Sequence, residues 1–155
     1  MADPRHLDQM FARIMRGLVD TGRAPHHAEL ARAMGLTVPE GRQLLHDLMQ
    51  AYPIGWLHPD TDYIVSFPPL SNLPTQYRVT VRGEQKWFVQ CGFEAASVTW
   101  LFPGETVRVS APCLDCGEPV VIEMRDGRLL TREPASLVGH LNWGTGPSRG
   151  KLPFL

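Results

Sequence analysis

Apolar residues recur at helical spacing through the first third of the chain. Leu7, Met10, Phe11, Ile14 and Leu18 fall at steps of three and four, which predicts a helix with one apolar face, punctuated by Gly22 and Pro25. Leu30, Ala31 and Met34 predict a second, shorter helix over roughly His26 to Met34, with Gly35 as its stop. Thr37-Val38-Pro39-Glu40 has the form of a capping box, in which the threonine hydroxyl and the glutamate carboxylate each satisfy a backbone N–H of the first turn. The third helix follows with Leu44, Leu45, Leu48, Met49 and Tyr52 in register. Ile54 to Leu57 and Tyr63 to Val65 then flank a turn, His58-Pro59-Asp60-Thr61-Asp62, and predict a hairpin.

Beyond a stretch rich in proline (Pro68, Pro69, Pro74), the period changes from helix to strand. Tyr77 to Val81 alternates, Arg82-Gly83 turns, and Lys86 to Val89 returns. Cys91 to Phe102 reads as helical until Pro103-Gly104. Thr106 to Ala111 alternates again, Val120 to Met124 is its expected partner, and Arg125-Asp126-Gly127-Arg128 forms a further hairpin turn. The expected class is α+β: an N-terminal winged-helix-like helical unit (1–67) packed on a small mixed β-sheet domain with a short helix (76–143), with a linker at 68–75 and an extended tail at 144–155.

Composition narrows the function. A hydrophobic content of 43% and charged content of 20% describe an ordinary globular chain with enough length, at 155 residues, for a real core. Three helices and a hairpin suit DNA binding, but residues 1–70 hold six arginines and no lysine against eight acidic residues. The third helix sets Glu40 and Asp47 against Arg42 alone, so the basic face that phosphate contacts require is missing and nucleic acid is not an expected partner. No apolar run reaches bilayer length and the first residues lack the form of a secretion signal, so no membrane partner is expected and the cytoplasm is the expected location.

In that compartment three cysteines point to metal or thiol chemistry. Cys91 stands at a predicted helix start, where backbone N–H groups favour a thiolate, and Glu94 follows one turn later on the same side. Phe88, Phe93 and Trp100 are the apolar neighbours expected to desolvate Glu94 and keep a proton on it. The same spacing equally suits a buried cysteine beside a solvated glutamate. Cys113 and Cys116 form a C-x-x-C pair like one knuckle of a zinc ribbon, without the second pair a closed site needs; Cys91 as a third ligand and His140 as a fourth would complete it. Two buried cysteines in a turn fit that pattern too. Of the other histidines, His26, His27, His46 and His58 read as surface residues, and Trp87, Trp100 and Trp143 read as core or pocket wall.

The order of these segments resembles the organomercurial (alkylmercury) lyase family. The resemblance runs from about His27 to Asp126 and rests on Tyr77-Arg78-Val79-Thr80-Val81, on Trp87-Phe88-Val89-Gln90-Cys91-Gly92-Phe93-Glu94-Ala95, and on Val107-Arg108-Val109-Ser110-Ala111-Pro112-Cys113 followed by Gly117-Glu118-Pro119-Val120. It implies an enzyme in which two thiolates grip the mercury of an alkylmercury cation and a carboxylic acid protonates the carbon. Carried over, Cys91 matches the first catalytic cysteine, Glu94 the position of a catalytic aspartate, and Cys113 a cysteine usually given a structural role. The family's second catalytic cysteine has no counterpart after Cys116, so Cys113 or Cys116 is the expected replacement. No cofactor is required on this reading; Hg(II) or Zn(II) is the expected bound ion, the substrate is a small organometallic compound or soft metal ion, and small thiols or a thiol protein accept the metal. Two other functions fit the same residues: a non-catalytic thiol protein binding zinc, copper or mercury, and a metal-responsive winged-helix regulator.

Overall fold

In the computed structural model, residues 3–53 and 55–139 are described, and the chain divides into two compact units, one ending at Leu73 and the other beginning at Pro74. The tail at 144–155, Trp143 and His140 lie outside the described residues.

The first unit opens with α1 (Pro4–Thr21), α2 (His27–Ala33) and α3 (Val38–Ala51). Asp3 caps α1 by accepting from the Arg5 N–H at 2.9 Å, and Gly22 ends it in the left-handed region at φ 72. Its predicted face is its buried face: Met10, Ile14 and Leu18 are fully buried, joined by Met15. The expected capping box of α3 is present, with Glu40 accepting from the Thr37 N–H at 2.8 Å. A second one, built on His26, caps α2: its Nδ1 accepts from the Ala28 N–H at 3.2 Å while Glu29 accepts from the His26 N–H at 2.6 Å. His26, exposed as expected, thus also forms part of the helix boundary. Gly41 is where α3 meets α2; a Cβ there would stand 2.4 Å from the Ala31 Cβ, so only glycine permits the approach.

β1 (Trp56–Leu57) and β2 (Ile64–Phe67) form the expected hairpin, and β2 pairs on its other side with β3 (Leu70–Ser71). β3 falls inside the stretch read as a linker, because Pro68-Pro69 looks like a chain break and here only turns the chain between two strands. Asn72 follows β3 and locks it, accepting from the Ala24 N–H and donating to the Ile64 carbonyl, both at 2.7 Å. Asp62, in the hairpin turn, holds α3: it takes Arg42 Nε at 2.7 Å and His46 Nε2 at 2.6 Å. Burial pushes the Asp62 carboxyl up, but these partners outweigh it and its pKa lies below the usual range.

The second unit is an antiparallel sheet with strand order β5-β4-β6-β7-β8, from β4 (Tyr77–Val81), β5 (Glu84–Val89), β6 (Val107–Pro112), β7 (Pro119–Arg125) and β8 (Arg128–Glu133). The α+β class holds; the sheet, expected as mixed, is antiparallel at each ladder among these five strands. Each expected hairpin is present, with Asp126 and Gly127 both at positive φ in the β7–β8 turn. Between β5 and β6 the chain forms α4 (Gly92–Ser97) and one 3₁₀ turn (Val98–Leu101). Alternation then decides the core: Val79, Val81, Trp87, Val89, Val107, Val109 and Met124 are buried together with Ala95, Val98 and Phe102. Trp87 and Phe102 meet edge-on, ring centres 4.9 Å apart.

Candidate thiol and carboxyl site

Cys91 occupies the N-cap position of α4, directly after β5 ends. A strand running into a short helix exposes unpaired N–H groups, and this chain satisfies them with a thiol and a carboxylate. Cys91 Sγ accepts from the Glu94 N–H at 3.5 Å, while Glu94 Oε2 accepts from the Gln90 N–H at 2.7 Å and the Cys91 N–H at 3.2 Å. The Cys91 side chain also hydrogen-bonds the Glu94 carboxyl. Thiol and acid are thus in direct contact, as their spacing suggested.

Burial pushes the Glu94 pKa up, and it wins over the three hydrogen bonds that favour the carboxylate. Of the aromatic residues expected to shield it, Phe88 is half-buried, while Phe93 is 55% exposed and Trp100 62% exposed.

Cys113 and Cys116 lie in the turn between β6 and β7, the first half-buried and the second exposed, and their side chains are hydrogen-bonded to each other. The N–H groups of Cys116 and Asp115 also point at Cys113 sulfur, and these bonds hold its pKa below that of a free thiol. At Cys116 the Glu118 N–H favours the thiolate, but the bond to Cys113, burial and the negative charge of Cys113 raise the pKa.

The two sets face each other across β4. Tyr77 pairs with Val89 on one side and Arg78 with Ser110 on the other, and Cys91 and Cys113 lie just beyond those partners. Neighbouring strands stand roughly 4.8 Å apart, which separates the two segments by about 10 Å, more than a disulfide spans. All three cysteines are free thiols. Among the described residues no group of three or more histidine, cysteine, aspartate or glutamate side chains converges to hold a metal ion.

Tyr77 is the residue that sequence reasoning missed. Its hydroxyl accepts from the Gly92 N–H, and its pKa is raised by burial first and then by the charges of Cys91 and Cys113, so it stands within the field of both thiols. The register was the available signal: the terminal residue of a central strand lies between whatever ends its two neighbours.

The chain is an α+β protein with a cysteine and a glutamate capping the start of α4 and two further cysteines in the β6–β7 turn. The family model described as "MerB: Alkylmercury lyase" matches residues 70–149, more than half of the chain, and the chain belongs to that family. Among solved structures it is similar to the "Crystal structure of the mercury-bound form of MerB2", with 21% identity and a TM-score of 0.56 over 85% of this chain and 67% of that one. At that identity the likeness is one of fold. No curated protein matches the chain.

Proposed function

We propose that this protein is an organomercurial lyase that cleaves a carbon–mercury bond by protonolysis. The observation that carries the reading is the contact between the Cys91 thiol and the Glu94 carboxyl, with burial favouring the protonated acid. Cys91 as thiolate forms a sulfur–mercury bond to the alkylmercury cation. A second sulfur, supplied by an added small thiol, raises electron density on mercury and weakens its bond to carbon. Glu94 delivers its proton to that carbon, the carbon–mercury electron pair becomes the new C–H bond, and the hydrocarbon leaves. Hg(II) stays on sulfur until a small thiol or thiol protein takes it, and solvent returns the proton to Glu94.

Glutamate in place of aspartate lengthens the acid by one methylene, and the capping bonds at 2.7 and 3.2 Å fix where its carboxyl stands. On this reading the first unit is a winged-helix-like scaffold. Its α3 arginine is held by Asp62, which leaves the DNA-binding regulator without its phosphate contact. No helix among the described residues is long and apolar enough to cross a membrane.

Release of benzene from phenylmercury in excess small thiol tests the proposal. The wild type is expected to turn over and Cys91→Ser to release none. Stoichiometric mercury uptake without hydrocarbon would favour the non-catalytic metal-binding protein.

A further inference from the structure

We propose that Cys113 and Cys116 form a two-sulfur site of their own for a soft ion with linear coordination, Hg(II) or Cu(I), separate from the site at Cys91. Three features of the β6–β7 turn carry this. The turn is closed at both ends, by the Cys113 N–H to the Glu118 carbonyl at 2.7 Å and the Gly117 N–H to the Cys113 carbonyl at 2.9 Å, with Gly117 in the left-handed region at φ 76. That closure brings the two sulfurs within hydrogen-bonding reach of each other. Backbone N–H groups then surround them: those of Cys116 and Asp115 aim at Cys113 sulfur and that of Glu118 at Cys116 sulfur. Amide donors directed at sulfur stabilise thiolates and orient them as ligands, the task of an outer shell around a metal.

The ligand count selects the ion. A closed zinc site needs four donors, and among the described residues no group reaches even three. Soft ions that accept two thiolates in a line are satisfied by the pair alone. Access is open, since Cys116 is exposed and Leu114 beside it is 63% exposed. Binding of mercuric chloride forms two sulfur–mercury bonds and releases two thiol protons and two chlorides, with no electron transferred. As a receiver for the Hg(II) left by bond cleavage the pair rests on the lyase reading; as a metal site it does not.

The test is native mass spectrometry of the full chain with mercuric chloride in the presence of a competing monothiol, alongside the absorbance of mercury–thiolate bonds. Cys91→Ser is expected to hold one Hg(II) per chain, because closing the second sulfur onto a bound ion is intramolecular and gains roughly a tenfold or greater advantage over a monothiol. Adding Cys116→Ser to that background removes an exposed side chain and is expected to abolish retention while leaving the fold intact by circular dichroism. Loss of all mercury from Cys91→Ser would overturn the proposal, as would one Zn(II) bound per two chains through both cysteines. If Cys91→Ser retains Hg(II) while the wild type releases no hydrocarbon, the dithiol site stands and the lyase reading fails.

Discussion

Cys91 and Glu94 cap one another: the Cys91 sulfur accepts the Glu94 N–H at 3.5 Å, and the Glu94 carboxylate accepts the Cys91 N–H at 3.2 Å. The residues proposed for chemistry are thus the residues that start α4, so structure and reaction draw on the same two side chains. Substitutions there must be chosen to separate the two effects.

Glu94→Gln keeps an acceptor for the Gln90 and Cys91 N–H groups but has no proton of comparable acidity. It is expected to unfold within about 0.5 kcal/mol of the wild type in urea while hydrocarbon release falls by roughly 10²–10⁴-fold. Glu94→Ala loses the acceptor as well and strands two N–H groups, so it is expected to cost about 1–3 kcal/mol in addition. Equal stability loss in both variants would show that the charge, not the hydrogen-bonding geometry, holds the helix start.

Glu94 also gives stability a pH dependence of known sign. Its folded pKa is raised by burial, so between the unfolded value, about 4.3, and the higher folded one the native state binds more protons than the unfolded state. This contribution is fully present below the unfolded pKa and is lost as pH rises through the folded pKa. The urea midpoint of the wild type should therefore fall across that window relative to Glu94→Gln. A wild-type midpoint that rose relative to the variant would place the carboxylate, not the acid, as the favoured form.

The two turn cysteines should part company in their reactivity. Hydrogen bonds from the Cys116 and Asp115 N–H groups lower the Cys113 pKa, while the bond to Cys113, outweighing the help of the Glu118 N–H, raises that of Cys116. Alkylation at pH 7 followed by peptide mass spectrometry is expected to label Cys113 first although it is the less exposed of the two. Faster labelling of Cys116 would mean that access, rather than thiolate fraction, governs the pair.

In the first unit, Gly41→Ala places a methyl group 2.4 Å from the Ala31 Cβ and 2.9 Å from its Cα. Helices α2 and α3 must then separate, at an expected cost of about 1–3 kcal/mol in a urea melt. Ala has the better helix propensity, so a stabilised variant would show that the crossing relaxes freely.

The sequence was most legible where a local rule acts alone. Thr37 and Glu40 announce a capping box, and Asp126-Gly127 announces a hairpin, because each needs only its own neighbours. Leu70–Ser71 was hidden, since two prolines before it mask a strand whose partner, Ser66–Phe67, is set by pairing rather than by its own composition. His26 was passed over as a cap because histidine seldom takes that place, although Glu29 stands at the capping-box distance from it. The contact of Cys91 with Glu94 follows from three-residue spacing, whereas the apolar cover assigned to Phe93 and Trp100 depends on which way a short helix rolls. Tyr77 becomes part of the site only once both neighbours of β4 are known.

The central claim, that Glu94 protonates carbon held through mercury on Cys91, is tested most directly by running the reaction with a methylmercury or phenylmercury salt in D₂O with excess small thiol and weighing the hydrocarbon. The account predicts one deuterium in each molecule released by the wild type, strong slowing in Glu94→Gln, and no release in Cys91→Ser. Hydrocarbon release by Cys91→Ser at the wild-type rate would contradict it.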